Sequence, residues 1–274
     1  MKMLNTYDNA SIHTGCSYNR REHAERIEDL YVNPSNLWRV AKCPASARKI
    51  CRASDHIKQS ARVGLTVDRI VTESIEQGMT PRDVAPEASK EILRQADGYF
   101  RILQKLKVIH PDAIRFLEME LAGDWIENFQ GIADCVLYVP SRHRLLVLDH
   151  KTGRNTEYTA DDLQLRCYAV MAYDRLVAEG YEISNVYTMI VQPDLPENGV
   201  KMTCGGIELV EKWRNLITSI VENAAQNPEE AHPDCYRCLF CPWASKCASL
   251  AAFDEENEGQ YTKYKTRVLR PKTA

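Results

Sequence analysis

The chain has 274 residues, a formal net charge of −3, 44% hydrophobic residues and 27% charged residues. These values are typical of a soluble globular protein with room for one sizeable domain. The sequence has no apolar run of membrane-spanning length and no hydrophobic signal-peptide stretch near its first residue, so we expect a cytosolic protein without a membrane partner. It also lacks the overall basicity of many nucleic-acid-binding proteins, so any contact with DNA has to be local.

The first predicted helices follow a polar lead-in. Residues 1–35 are polar and charged and predict a loosely packed segment. Apolar residues at helical spacing predict one helix over 64–77 and a longer one over 87–106. Asp68 borders the apolar stripe of the first helix, so it either points toward the edge of the core or is a solvated helix acid.

The stretch Gly131–Gly153 predicts an antiparallel hairpin. Two β-branched and aliphatic runs, 133–139 and 144–148, flank the polar connection Pro-Ser-Arg-His. A four-residue connection pairs Val139 with Arg144, and this pairing fixes the register of the remaining residues.

Counting back along both strands places Asp134 directly opposite Asp149, so the two carboxylates face the same side of the sheet. Lys151 follows Asp149 by two positions and lies on that side as well. Opposed carboxylates repel each other, and a divalent cation removes the conflict; oxygen-only ligands suit Mg²⁺ or Mn²⁺. The pattern predicts metal-assisted hydrolysis of a phosphodiester, with Lys151 steadying the nucleophile or the developing charge.

The alternative is an ordinary Asp-Lys pair on a surface strand. Leu145–Leu148 is apolar on both faces, which is typical of an internal strand and favours the catalytic interpretation. A preceding strand over 116–121 carries Glu118 and Glu120 on one side. We expect these two glutamates to form a solvated face, although either is close enough to reach the metal.

After the hairpin, a helix is predicted over 160–179, where Gln164 and Tyr168 share a face. Both side chains can hydrogen-bond a phosphate or a base, whereas a tyrosine on a helix is more often in the core. The remaining patterns predict a strand over 185–192, a loop with strand character over 193–206 and a helix over 207–226. This order of elements indicates a mixed α/β sheet.

Four of the ten cysteines lie within thirteen residues near the C-terminus, namely Cys235, Cys238, Cys241 and Cys247. In a chain without a secretion signal this spacing favours metal ligation over disulfides. Thiolates at this spacing bind either zinc or an iron–sulfur cluster, and the spacing leaves both open. The following segment, 261–274, combines tyrosines with five cations and no acid. It can follow phosphates and stack on bases, or it is a solvated, disordered tail.

Several motifs occur in an order that resembles the RecB-type branch of the PD-(D/E)XK nucleases. They are Cys43-Pro44, Gly64-x-Thr66, Gly131-x-Ala133-Asp134, Asp149-His150-Lys151-Thr152-Gly153, Gln164-x₃-Tyr168 and Cys238-x₂-Cys241-x₅-Cys247. The last motif is similar to the iron–sulfur form found in AddB, in CRISPR-associated RecB-like exonucleases and in related phage proteins. The resemblance spans residues 35–247.

The resemblance implies a restriction-endonuclease-like α/β core, with a mixed central sheet flanked by helices. The residues that it assigns to catalysis are Asp134, Asp149, Lys151, Gln164 and Tyr168. Asp134 and Asp149 would bind Mg²⁺ or Mn²⁺, with the carbonyl of His150 as a further ligand. Gln164 and Tyr168 would contact the DNA backbone or support the site.

The family usually has a histidine four residues after the glycine at Gly64, where this chain has Asp68. We expect Asp68 to replace that histidine, since an all-oxygen site still suits Mg²⁺ or Mn²⁺. The alternative is that this motif has decayed and that the chain is a non-catalytic DNA-binding or assembly module.

By the same resemblance, Cys43, Cys238, Cys241 and Cys247 hold a [4Fe–4S] cluster, and Cys235 is left over. The cluster would join the two ends of the domain and restrict the unfolded chain as a long-loop crosslink does. A local zinc knuckle that includes Cys235 is the alternative.

The expected function is that of a Mg²⁺- or Mn²⁺-dependent exonuclease that processes DNA ends during recombination or replication of a phage or mobile element, in the host cytoplasm. Its expected partners are single- or double-stranded DNA and either a recombination protein or a second copy of the chain. The expected division is a lead-in over 1–35, a nuclease domain over 36–255 and a basic tail over 256–274.

Overall fold

The computed structural model describes residues 30–48, 55–152, 162–195 and 199–269. Most of the predicted lead-in, the end of the predicted tail and the segment that follows Thr152 lie outside the described residues.

A mixed five-stranded sheet forms the centre of the described chain. Its strands are β1 (Ile114–Ala122), β2 (Gln130–Val139), β3 (Arg144–His150), β4 (Asn185–Val191) and β5 (Lys201–Gly206). They lie side by side in chain order, and β3 pairs with β4 in parallel while the other neighbours are antiparallel. A helical crossover between β3 and β4 allows this parallel pairing.

Helices cover both faces of the sheet. In the described residues they are α1 (Leu37–Val40), α2 (Asp55–Gln77), α3 (Pro81–Val84), α4 (Lys90–Ile109), α5 (Leu163–Ala178), α6 (Glu208–Gln226), α7 (Cys235–Leu239), α8 (Ala248–Glu256) and α9 (Gln260–Leu269). One apolar core joins the sheet to α1, α5 and α6, and the other joins it to α2 and α4. A mixed α/β architecture flanked by helices is therefore confirmed.

β2 and β3 form the predicted hairpin, and Val139 pairs with Arg144 as predicted. Pro140–Arg142 makes a short 3₁₀ turn, and His143 closes it with a left-handed φ of 48°. Nearly every residue of β3 is buried, because one face packs against α5 and the other against the core formed by α2 and α4. This position explains why the strand is apolar on both faces.

Both ends of the described chain are more ordered than their polar sequences indicate. Leu30 and Val32, at the end of the predicted loose lead-in, are buried in the core, and Leu30 forms a β-bridge with Arg48. In the tail, residues 260–269 form helix α9. Tyr261 anchors this helix, since its ring is buried against Cys238 and Leu250. Residues 201–206, expected to be a loop with strand character, form the edge strand β5 by pairing with β4.

No helix in the described part of the chain is both long and apolar enough to cross a membrane.

Candidate active site

The end of the hairpin opposite its turn carries the predicted acids and lysine. The register of β2 and β3 runs to Cys135 and Leu148, and its next position places Asp134 opposite Asp149. Asp149 is 3% exposed, and Lys151 Nζ lies 2.7 Å from its Oδ2. Burial raises the pKa of Asp149 above its ordinary value, while Lys151 opposes the shift. Burial alone would lower the pKa of Lys151, but Asp149 raises it above its usual range, so the amine stays charged.

Asp134 reaches the same place from the neighbouring strand. Its Oδ2 accepts a hydrogen bond from the backbone N–H of His150 at 2.6 Å. Burial raises the pKa of Asp134 well above its ordinary value, and the negative charges of Asp149 and Asp68 raise it further. A carboxylate in this position is stabilised by a proton or by a cation.

Helix α5 supplies the polar residues that contact Lys151. Asp162 caps this helix by accepting the N–H of Gln164 at 2.9 Å, which fixes the first turn beside the end of β3. Lys151 Nζ donates to Gln164 Oε1 at 2.7 Å. Gln164 Nε2 in turn lies 3.4 Å from the hydroxyl of Tyr168 and 3.4 Å from Ser35 Oγ. The predicted pair on α5 therefore lies beside Lys151.

Gly131 is required by the close approach of this tyrosine. A Cβ at position 131 would lie 2.9 Å from Tyr168 Cε1, which is shorter than real contacts allow. The glycine of the Gly-x-Ala-Asp motif thus lets Tyr168 pack against the strand that carries Asp134.

His150 points to the opposite face of the sheet from Asp149, as alternation along a strand requires. Its ring is stacked on Tyr99 of α4, with centroids 4.6 Å apart and planes 6° from parallel. Its Nδ1 lies 2.8 Å from Asp68 Oδ1 of α2. Asp68 therefore lies at the edge of the core, and it contacts the site through the imidazole of His150.

Glu118 lies next to the site in the structure. The sequence pattern had predicted a solvated strand face for this residue. The pairs that flank it, Leu117 with Cys135 and Met119 with Ala133, place it opposite Asp134. Its φ of 47° departs from strand geometry. Burial together with the charge of Asp68 raises the pKa of Glu118 to about 7. The register of β1 and β2 places Glu118 opposite Asp134, but alternation along the strand does not reveal that Glu118 is partly buried while Glu120 is exposed.

The cysteine cluster lies where the two ends of the described chain meet. Burial raises the pKa of Cys238 to about 11, and the charges of Cys241 and Cys43 add to the shift. Burial also raises the pKa of Cys241, and the charges of Cys43 and Cys247 add to that shift. The thiol of Cys43 therefore lies near the C-terminal thiols. The pKa of Cys235 is raised by burial and by Asp234 and Asp254, with no thiol among its causes.

Arg39 links α1 to this cluster. The residue is 6% exposed, and its Nη1 donates to the carbonyl of Phe240, between two of the cysteines, at 3.1 Å. Burial lowers the pKa of Arg39, and the charges of Cys241 and Cys43 oppose that shift. Arg39 in turn lowers the pKa of Cys241 and so opposes part of the rise that burial causes.

Within the described residues, no group of three or more histidine, cysteine or acidic side chains is arranged to hold a metal ion. The acids of the hairpin instead contact protein donors, Asp134 the N–H of His150 and Asp149 the amine of Lys151.

Comparisons with known proteins give one family match. Residues 31–271 match the model of a family described as "Protein of unknown function (DUF2800)". No curated protein matches the chain. Among solved structures, the crystal structure of SSO0001 is similar over 80% of this chain and 85% of its own length, at 13% identity and a TM-score of 0.37.

Proposed function

The chain belongs to the DUF2800 family, and we propose that it is a Mg²⁺- or Mn²⁺-dependent DNA exonuclease with a PD-(D/E)XK-type core. The observation that carries the proposal is the meeting of Asp134 and Asp149 at the buried end of two paired strands, beside Lys151. Buried acids with raised pKa values, as in Asp134 and Asp149, are frequent at catalytic sites.

The donor set fits a hard divalent cation. The oxygens of Asp134 and Asp149 would hold Mg²⁺ or Mn²⁺, and its charge would relieve the repulsion that raises the pKa of Asp134. A bound ion would supply an activated water and a polarised phosphoryl group. We expect Asp68 to act on that ion through His150, while direct ligation by Asp68 and by the carbonyl of His150 stays a prediction.

Lys151 contributes electrostatic stabilisation of the transition state. Its ammonium is held between Asp149 and Gln164, so it is oriented before the substrate arrives. A charged amine in that position stabilises negative charge as it develops on the phosphoryl oxygens. Gln164 fixes the amine, and Tyr168 packs behind Gln164.

We further propose that Cys43, Cys238, Cys241 and Cys247 hold a structural [4Fe–4S] cluster. The influence of Cys43 on the pKa of Cys238 and of Cys241 supports this set over a zinc knuckle that includes Cys235. The cluster would join the segment around α1 to the one around α7, a role that fits the buried Arg39 between them.

The decisive assay uses full-length protein prepared anaerobically with linear single- and double-stranded DNA, labelled at the end or internally, and Mg²⁺ or Mn²⁺. We expect metal-dependent release of end label, with circular DNA left intact. Asp149→Asn and Lys151→Met should lose at least about a thousandfold in rate while retaining the native circular dichroism spectrum.

The matched control is Asp112→Asn, because Asp112 accepts the N–H of Ser141 at the turn end of the same hairpin, far from the acids. It should cleave like the wild type. Equal cleavage by Asp149→Asn and the wild type would exclude these roles. DNA binding without any cleavage would instead favour the non-catalytic DNA-binding or assembly module.

A further inference from the structure

A cavity of about 570 Å³ lies between the N-terminal and C-terminal ends of the domain, on the side of the sheet where α5 packs. Three aromatic side chains line it, Trp38 from α1, Tyr236 from α7 and Tyr264 from α9. Tyr236 is 37% exposed, and its ring centroid lies 5.9 Å from that of Trp38. A cavity of this size with several aromatic walls is typical of a site for planar ligands.

Cations surround these aromatic walls. Lys42 is exposed on the α1 side of the cavity, and the guanidinium of Arg267 lies 5.5 Å from the ring centroid of Tyr264. Helix α9 contains three cations and no acid over its whole length. The acid on the lining, Asp234, is ion-paired with Arg237. Although the chain has a net charge of −3, positive charge is thus concentrated around this cavity.

The cavity adjoins the proposed catalytic residues along the chain at two points. Leu163 is part of the lining, and the next residue, Gln164, accepts the hydrogen bond from Lys151. On the other side, Ser35 contacts Gln164 and precedes Trp38 by three residues. A strand of nucleic acid whose phosphates reach Lys151 would have its neighbouring nucleotides beside these aromatic rings.

From this arrangement we infer that the cavity binds unpaired bases of single-stranded DNA next to the catalytic acids. This inference rests on the proposed nuclease function, because it assigns the DNA strand that the site would receive. Bases stack on exposed aromatic rings when they are unpaired, while phosphates follow the surrounding cations. In a duplex the faces of the bases are already stacked on one another and cannot enter.

The test measures binding without cleavage. The fluorescence anisotropy of a labelled, unstructured DNA oligonucleotide is titrated with full-length, cluster-containing protein in EDTA. Tyr264→Ala should raise Kd about 10-fold, whereas Tyr264→Phe, which keeps a stacking face, should stay close to the wild type. Tyr264 is the preferred position because Trp38 also packs on Tyr236 and Phe240, so its removal can disturb the fold.

Two lysine substitutions test the electrostatic part of the inference. Lys42→Gln should weaken binding and reduce its salt dependence, while Lys90→Gln, an exposed lysine on α4 at the other face of the sheet, should change neither. Blunt duplex DNA and single-stranded RNA of the same sequence serve as competitors, and both should compete less well than the unlabelled single strand.

An unchanged Kd in Tyr264→Ala, or equal loss in Tyr264→Phe, would overturn the stacking site, and so would equal competition by duplex. Tighter binding of RNA than of DNA would overturn the assigned ligand. The binding measurement needs no divalent ion, so its outcome does not depend on cleavage. Binding of single strands at this site together with no cleavage in the nuclease assay would reject the nuclease function and keep the site.

Discussion

Asp68 Oδ1 lies 2.8 Å from His150 Nδ1, so an acid on α2 and a histidine at the end of β3 form a largely buried pair. The same His150 donates its backbone N–H to Asp134 and stacks its ring on Tyr99. Through this one residue, two helices on one face of the sheet control the position of an acid that would bind metal.

The pair predicts a distinct effect for two substitutions of Asp68. Asp68→Ala removes the partner of the imidazole and should weaken Mn²⁺ binding about 10- to 100-fold, as losses around a metal site usually do. Asp68→Asn keeps an oxygen that can accept a hydrogen bond from the ring, so it should retain most of the affinity. Calorimetric titration with Mn²⁺ measures both. Equal loss in the two variants would instead identify Asp68 as a direct ligand.

A second prediction concerns Gln164, which is bonded to Lys151 at 2.7 Å. If Lys151 acts as proposed, Gln164→Ala should lower kcat about 10-fold and change KM little, because it frees the amine of Lys151 without removing it. Tyr168→Phe should have a smaller effect, since its hydroxyl contact with Gln164 is long, at 3.4 Å. Steady-state cleavage of labelled DNA gives both constants. A rise in KM alone would show that Gln164 binds the DNA backbone.

The cysteine set predicts which thiol is dispensable. Cys43→Ser should abolish the brown colour and iron content of anaerobically purified protein and lower its Tm, because the link between the two ends is lost. Cys235→Ser should retain iron, since Cys235 is not one of the four proposed cluster ligands. Elemental analysis decides the matter. Zinc without iron in the wild type, lost in Cys235→Ser and kept in Cys43→Ser, would establish the local zinc knuckle.

Glu118 predicts a pH-dependent contribution to stability in the metal-free protein. Its pKa is about 7 in the folded state against an ordinary value of 4.5, so between these two values the folded protein binds more protons than the unfolded one. Stability therefore falls as pH rises through this window. Glu118→Gln is neutral at every pH, so its Tm in EDTA should exceed that of the wild type at pH 8, by about 2 °C after screening at this partly buried position.

The control for this measurement is Glu120→Gln, on the same strand but exposed. Its Tm should follow that of the wild type from pH 4 to pH 9. A Glu118→Gln variant with the same pH profile as the wild type would show that this glutamate titrates normally in the folded protein.

The sequence alone determined the hairpin and the three side chains at its end. Alternation along two strands and a four-residue connection are local properties, so they predicted the pairing of Val139 with Arg144 and the meeting of Asp134, Asp149 and Lys151. Helix spacing predicted that Gln164 and Tyr168 share a face just after the strand, while the hydrogen bond of Gln164 with Lys151 is known only from the structure.

Only the tertiary structure decided which distant residues lie next to Asp134, Asp149 and Lys151. The packing of α2 and α4 on one face brought Asp68 and Tyr99 to His150. Glu118 departs from strand geometry and is influenced by the charge of Asp68. The pairing of chain ends set Cys43 beside the C-terminal thiols. Such contacts depend on how whole elements pack, which the periodicity of a single segment does not contain.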